Sequence, residues 1–110
     1  MPNILYGLKN CDTCKKALKA LEAAGKPTAF VDIREDTDLA AKVPQWLASA
    51  GADKLLNTRS TTWRNLSETE RAQPPEALLI ANPTLIKRPV IETGKAVYVG
   101  WTKETQADLL

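Results

Sequence analysis

The chain has 110 residues, which is enough for one hydrophobic core but too few for two, so we expect a single domain over residues 1–110. Apolar residues make up 44% of the sequence and charged residues 25%, and the small net charge of +2 is spread along the chain; a disordered protein is excluded and a nucleic-acid partner is not indicated. No apolar run reaches the roughly 20 residues of a membrane span, and the first residues lack the features of a secretory signal, so we expect a cytoplasmic protein with no membrane partner.

The first third of the chain predicts a strand, a helix and a second strand. Asn3–Gly7 is a short apolar run typical of a buried strand, and residues from about Asp12 to Ala24 follow the helical period, with Gly25 as a stop. Thr28–Ile33 is rich in apolar residues and predicts the second strand. This order is that of a βαβ unit, whose two strands run parallel.

The middle of the chain predicts one longer helix and then irregular structure. Ala40–Ala50 has the helical period, but Pro44 lies inside it, so we expect the regular helix to begin only near Val43. The segment Leu55–Arg64 has mixed polarity and no clean period, which predicts short turns and a loop.

The last part of the chain predicts two short helices, a hairpin and a terminal helix. Ser67-Glu68-Thr69-Glu70 matches a capping box, and Glu76–Ala81 indicates another brief helix. Val90–Ile91 and Ala96–Val99 flank a glycine turn and predict a β-hairpin. Lys103–Leu110 predicts a closing helix.

The tetrad Cys11-Asp12-Thr13-Cys14 lies between the first strand and the helix, and it contains both cysteines of the chain. In a reducing cytoplasm such a pair is expected to be catalytic, redox-sensing or metal-binding rather than a structural disulfide. The sequence has no histidine, so Cys-His and histidine-based metal centres are excluded within one chain. Two cysteines supply half of the ligands that zinc requires, so we expect no metal site.

The two cysteines are predicted to have different roles. Cys11 lies at the N-terminus of the predicted helix, where the partial positive charge favours a thiolate, so we predict that it is a nucleophile. Cys14 is one turn further along and on the same face, so a disulfide between the two can form with little backbone movement. Cys14 is therefore either the resolving thiol or a small core residue at the head of the helix's apolar stripe.

Three segments of the sequence are distinctive in combination: Leu5–Ala17, which includes the tetrad, Leu56–Arg64 and Ile86–Val90. In this order they resemble the arsenate-reductase-related family, which also includes the Spx regulators and the YffB-type proteins. The stretch Thr61-Thr62-Trp63-Arg64 is most similar to the YffB-type branch. The resemblance implies a thioredoxin-like α/β fold, in which a mixed four-stranded sheet is formed by a βαβ half and a hairpin half. It also implies a helical insert at about residues 38–83 and a C-terminal helix.

The resemblance implies a thiol chemistry assisted by arginines. In arsenate reductases of this family the cysteine after the first strand attacks arsenate, and Cys11, Arg59 and Arg88 match the cysteine and two of the arginines. A third family arginine follows a glycine after the last strand, but here Gly100 is followed by Trp101. Because an indole cannot replace a guanidinium at an oxyanion, the resemblance favours a glutathione-dependent thiol-disulfide reductase over an arsenate reductase.

This interpretation implies glutathione, or another small thiol or disulfide, as co-substrate, a glutaredoxin as a candidate partner, and no bound cofactor. The resemblance further implies that Arg88-Pro89 is a cis peptide bond beside the cysteine. Trp46 and Trp63 are expected to pack in the core or the insert. Substrate contacts are expected from five residues: Lys9, Asn10, Thr13, Arg64 and Pro89.

A competing hypothesis is an Spx-like regulator that binds RNA polymerase and uses the cysteine pair as a redox switch. Gly51 falls where those regulators carry a glycine in their polymerase contact. A glycine after a helix is also an ordinary C-cap, which is the commoner reason for its presence. The Thr61–Arg64 stretch favours the reductase.

Overall fold

The computed structural model describes residues 2–110. The chain divides into two compact units, of which the first comprises the residues up to Asp36 together with Arg88–Leu110 and the second is Thr37–Lys87. The helical insert predicted at about 38–83 falls inside the second unit. The prediction of a single domain stays a prediction.

Within residues 2–110 the secondary structure consists of short strands and mostly short helices. The strands are β1 Asn3–Gly7, β2 Thr28–Asp32, β3 Val90–Glu92 and β4 Val97–Val99. The helices are α1 Asp12–Ala23, α2 Leu39–Ala50, α3 Ala52–Leu55, α4 Thr61–Arg64, α5 Glu68–Arg71, α6 Pro75–Ala81 and α7 Lys103–Leu109, with a 3₁₀ turn at Pro83–Leu85.

The described strands form one four-stranded sheet in the order β2-β1-β3-β4. β1 is parallel to β2 and antiparallel to β3, and β3 is antiparallel to β4. The mixed sheet and its parallel βαβ half confirm the predicted fold class. β3 and β4 form a hairpin, and β3 also pairs with β1. The carboxyl end of β1, the start of β3 and the end of β4 therefore lie side by side at the same end of the sheet.

Helix α1 is amphipathic and buries its apolar stripe against the sheet. The buried residues that join it to β1, β3 and α7 form a cluster, called here the α1 cluster: Leu5, Cys14, Ala17, Leu21, Ile91 and Leu109. Full burial of a Leu or Ile side chain contributes about 1.5–3 kcal/mol. The α1 cluster therefore fixes the helix, and with it both cysteines, against the sheet.

The second unit has a core of its own. The buried residues of α2 meet those of α3, α6 and the segment after it: Leu39, Val43, Trp46, Leu55, Leu78, Leu79, Leu85 and Ile86. Trp46 is 0% exposed, which confirms its prediction as a core residue. A single bridge pairs Leu56 with Ile86.

The start predicted for the second helix is wrong. Helix α2 begins at Leu39, upstream of Pro44, because the side chain of Asp38 accepts the backbone N–H of Ala41 (3.3 Å) and caps the first turn. Pro44 removes the helical bond to the carbonyl of Ala40, and its ring crowds that carbonyl, one turn beyond the cap. The capped turn therefore survives the proline.

The segment Leu55–Arg64, predicted as short turns and a loop, ends in a regular helical turn. Thr61–Arg64 forms a single helical turn, α4, because the side chain of Ser60 accepts the backbone N–H of Trp63 (3.1 Å). The predicted capping box at Ser67, the hairpin and the terminal helix are confirmed. No helix among residues 2–110 is long and apolar enough to cross a membrane.

Candidate functional site

Cys11 stands where the chain turns from β1 into α1. Its backbone N–H donates to the carbonyl of Leu8 (3.2 Å), which closes a turn, and its own carbonyl accepts from the N–H of Lys15 (3.0 Å). Cys11 is thus the N-cap residue of α1, with extended backbone geometry, and its side chain is partly exposed. An accessible sulfur therefore lies at the positive end of the helix dipole.

Cys14 lies in the α1 cluster and is 1% exposed. Its sulfur occupies space that only a glycine leaves open, because a Cβ on Gly7 would lie 2.5 Å from Cys14 Sγ and 3.2 Å from Cys14 Cβ. Both cysteines are free thiols. The structure thus separates an accessible thiol from a buried one that is wedged against the end of β1.

The two thiols have opposite tendencies to ionise. Burial would raise the pKa of Cys11, but the backbone N–H of Cys14, the Cys14 thiol and the Arg88 guanidinium together outweigh burial and lower that pKa below its ordinary value. The Cys11 sulfur forms no capping hydrogen bond of ordinary geometry, so the backbone N–H of Cys14 acts on it electrostatically. Burial raises the pKa of Cys14 from 9.0 to about 12, and its interaction with Cys11 acts in the same direction. Of the two thiols, Cys11 therefore ionises first, and Cys14 keeps its proton at neutral pH.

Arg88 and Pro89 immediately precede β3. The Arg88-Pro89 peptide bond is cis, which confirms the prediction made from the resemblance. Arg88 is half-buried and Pro89 is buried, and the carbonyl of Pro89 accepts the N–H of Gly100 (2.8 Å). Since the Arg88 guanidinium acts on the Cys11 sulfur, the structure brings together Cys11, Cys14 and Arg88 in the first unit.

The other predicted site residues divide between the two units. Lys9 and Asn10 are exposed in the turn before Cys11, and Thr13 is exposed in the first turn of α1. Arg59 and Arg64 are exposed in the second unit. The roles of these five residues stay predictions.

Sequence reasoning missed two residues at the carboxyl ends of β1 and β2, close to the cysteine turn. Gly7 is one of them, and a glycine inside a strand is a known sign of close approach. The other is Asp32, the register partner of Gly7, whose carboxylate accepts the backbone N–H groups of Arg34 (2.8 Å) and Glu35 (3.0 Å). The N–H of Glu35 is the main cause of a lowered pKa of Asp32. An Asp at the end of an apolar strand is a turn signal that could have identified it.

The three tryptophans have separate surroundings. The guanidinium carbon of Arg71 lies over the Trp63 ring, 5.1 Å from the ring centroid. Trp63 therefore packs within the second unit, as predicted. Trp101 is partly exposed and packs against the α1 cluster, as Cys11 does.

Among residues 2–110 no group of three or more Cys, Asp and Glu side chains could hold a metal ion.

Known proteins resemble this chain over almost its whole length. The sequence model of the ArsC family matches residues 6–109. An uncharacterized protein of Haemophilus influenzae is 44% identical over 108 residues, covering 94% of this chain and 95% of that protein. The global transcriptional regulator Spx of Listeria innocua is 28% identical over 105 residues, covering 91% of this chain and 80% of that regulator. The solved structure of the YFFB protein superposes with a TM-score of 0.88 at 34% identity and covers 98% of each chain.

Proposed function

This chain belongs to the ArsC family, and from that premise we propose that it is a glutathione-dependent thiol-disulfide reductase whose nucleophile is Cys11. It has the thioredoxin-like fold of the YFFB protein. The observation that carries the proposal is the environment of Cys11, a partly exposed sulfur at the start of α1 whose pKa is lowered in part by Arg88. A thiolate is the nucleophilic form of cysteine, so this sulfur is prepared to attack a disulfide.

The reaction has two thiol-disulfide exchange steps. The Cys11 thiolate attacks the glutathione sulfur of a mixed disulfide, forms a Cys11–glutathione disulfide and releases the substrate thiolate, which takes a proton from water. The thiolate of a second glutathione then attacks the glutathione sulfur bound to Cys11. Oxidised glutathione leaves and the Cys11 thiolate is regenerated, so one disulfide is reduced and one is formed.

Arg88 supports both steps because its positive charge stabilises the Cys11 thiolate as attacker and as leaving group. Arg59 enters the proposal through the resemblance alone, as a second anion-binding arginine. Cys14 is protonated at neutral pH, with a pKa of about 12, which supports the order in which Cys11 attacks first. Its two predicted roles, resolving thiol and core residue, both remain compatible with this order.

Arsenate reduction is less well supported. The position at which the family places a further arginine holds Trp101, which packs on the α1 cluster. An indole offers no charge and no bidentate donor pair to an oxyanion. A glutathione disulfide, in contrast, needs a thiolate and few cations.

The proposal is tested by turnover of a glutathione mixed disulfide, with glutathione reductase and NADPH to recycle the product. We expect turnover for the wild type, none for Cys11→Ser, and partial turnover for Cys14→Ser. Mass spectrometry after treatment with oxidised glutathione gives the matched chemical readout, in which a glutathione adduct on Cys11 or a Cys11–Cys14 disulfide is expected. Equal turnover by wild type and Cys11→Ser would contradict the proposal.

A regulator that binds RNA polymerase is the second candidate, because Spx of Listeria innocua is among the relatives. Gly51 has a φ of 85° between α2 and α3, a conformation that favours glycine and gives this residue a structural reason. A pull-down of the polymerase α subunit separates the candidates. Gly51→Arg and Gly51→Ala carry the same backbone strain, so binding that only the arginine abolishes would establish a contact at Gly51 and overturn the reductase as the main function.

A further inference from the structure

Trp101 follows the end of β4, at the same end of the sheet at which β1 leads into the turn before Cys11. Tyr6 of β1 pairs with Val90 of β3, which pairs with Val99 of β4, so these three residues form one row across the sheet. The N–H of Gly100 donates to the carbonyl of Pro89 (2.8 Å), which continues the β3–β4 register one residue beyond the strands. Arg88 directly precedes Pro89 and Trp101 directly follows Gly100, so the two residues flank this hydrogen bond.

The conformation of Gly100 decides the face on which Trp101 packs. Side chains alternate between the two faces of a strand, so residues three apart in a regular strand point to opposite faces. Tyr98 and Trp101 nevertheless both pack against the α1 cluster. The alternation is broken at Gly100, whose φ of 81° is favoured by glycine. The indole is thereby turned toward the face of the sheet that α1 covers.

This placement brings the indole within reach of a substrate on Cys11. The guanidinium of Arg88 acts on the Cys11 sulfur, and Arg88 directly precedes Pro89, whose carbonyl accepts the N–H of Gly100 beside Trp101. The turn that begins at Leu8 returns to Cys11, whose N–H bonds the Leu8 carbonyl (3.2 Å). Cys11 and Trp101 also pack against the same α1 cluster and are both partly exposed.

We propose that Trp101 is a specificity residue, whose exposed indole forms a flat apolar wall beside Cys11 that favours disulfides with a planar apolar group next to the sulfur. This inference rests on the proposed thiol-disulfide chemistry of Cys11. The indole stacks with flat apolar groups, whereas a short polar chain has little to gain from it. In the step concerned, the Cys11 thiolate attacks one sulfur of a symmetric aryl disulfide, forms the Cys11–aryl disulfide and releases the other half as an aryl thiolate.

The test compares two neutral disulfides, 4,4′-dithiodipyridine as the flat probe and bis(2-hydroxyethyl) disulfide as the short polar one. The readout is the second-order rate constant of the reduced protein with each probe in a single turnover, followed by the released thiopyridone or by mass spectrometry of quenched samples. For each protein we take the rate constant with the flat probe divided by the rate constant with the polar probe. Comparing this ratio between a variant and the wild type cancels the intrinsic reactivity of the probes. It also cancels a change in Cys11 that affects both probes alike.

Trp101→Phe keeps an aromatic ring, and Trp101→Met keeps the apolar contact without one. We expect the phenylalanine variant to keep the wild-type ratio within about twofold, and the methionine variant to lower it roughly 3- to 10-fold, the size of an aromatic contact. Tyr98→Met, which removes another ring that packs on the α1 cluster, three residues before Trp101 in the chain, should leave the ratio unchanged. A wild-type ratio in Trp101→Met would overturn the inference.

A second measurement needs no variant. We expect 4-(methylthio)pyridine, which cannot exchange disulfides, to slow alkylation of wild-type Cys11 by iodoacetamide more than 2-(methylthio)ethanol does at equal concentration. Equal protection by the two compounds would overturn the inference. These readouts are independent of glutathione turnover, so the absence of glutathione turnover with the probe preference intact would reject the proposed function and keep the specificity role.

Discussion

The sulfur of Cys14 occupies the place where any side chain on Gly7 would begin, since a Cβ on Gly7 would lie 2.5 Å from Cys14 Sγ. This contact joins the last residue of β1 to the first turn of α1, on either side of the turn that presents Cys11. The buried cysteine and the strand glycine are therefore one packing unit, and the geometry of the accessible thiol depends on it.

Gly7→Ala should destabilise the protein because the methyl group and the Cys14 sulfur cannot occupy the same space. Overpacking of this kind costs about 1–3 kcal/mol. Urea denaturation measures the change in the free energy of unfolding. Gly94→Ala is the matched control, since nothing lies within 4 Å of a Cβ at Gly94.

The double variant Gly7→Ala with Cys14→Ala identifies the cause of the destabilisation. Removing the sulfur should restore part of the stability that Gly7→Ala loses, so the two changes should be less than additive. Additive effects would show that the strand glycine is needed for some other reason.

Arg88→Met should raise the pKa of Cys11, because the guanidinium is one of the groups that hold that pKa below its ordinary value. The rate of alkylation by iodoacetamide, followed against pH, reports the thiolate fraction. We expect the midpoint of this profile to move to higher pH in Arg88→Met and to move less in Arg88→Lys, which keeps the charge but loses the fork of donors.

Arg34→Met is the control for this experiment, since it removes the same charge from an exposed position two residues after the end of β2. Its profile should coincide with that of the wild type. Coincident profiles for Arg88→Met and the wild type would remove Arg88 from the site.

The parts of the fold that were predictable depend on signals close together in the chain. The capping box at Ser67–Glu70 and the glycine turn of the hairpin with its β-branched flanks each lie within ten residues. Helix α1 was predicted to within one residue because its stripe and its glycine stop are local. Pro44 was misleading because its penalty was weighed without the cap that Asp38 provides.

The site was less predictable because its contacts join distant parts of the sequence. Cys11 was recognisable from its position before a helix, but the arginine that acts on it lies 77 residues further along the chain. The direction of Trp101 depends on the φ of Gly100, which composition does not reveal. The close contact between Gly7 and Cys14 arises only when β1 and α1 are packed together.

Stability should fall at alkaline pH because of Cys14. Its pKa is raised in the folded state from 9.0 to about 12, so the unfolded chain releases the Cys14 proton more readily. The contribution of Cys14 is fully present below pH 9.0, and it is lost as the pH rises toward 12. The free energy of unfolding should therefore decrease more steeply above pH 9.0 in the wild type than in Cys14→Val.

The same comparison includes Cys11→Ser, which keeps the buried thiol and should retain the steep alkaline loss. Parallel curves for the wild type and Cys14→Val would contradict the assignment of that loss to Cys14.

Asp32→Ala should loosen the turn after β2, because its carboxylate accepts the backbone N–H groups of Arg34 (2.8 Å) and Glu35 (3.0 Å). Leaving such donors without their acceptor costs about 1–3 kcal/mol. Asp32→Asn keeps an acceptor oxygen and should cost less at neutral pH. Thermal or urea unfolding of the two variants measures the difference.

The acid behaviour of Asp32 follows from its lowered pKa, caused first by the N–H of Glu35. A depressed folded pKa adds stability above the ordinary value of 3.8, and this stability is lost as the pH falls through the folded pKa. The stability gap between wild type and Asp32→Asn should therefore close on acidification. Asp36→Asn, at an exposed position in the same turn, is the control for a general effect of removing one acidic charge. A gap that persists unchanged at low pH would mean that the charge of Asp32 does not stabilise the turn.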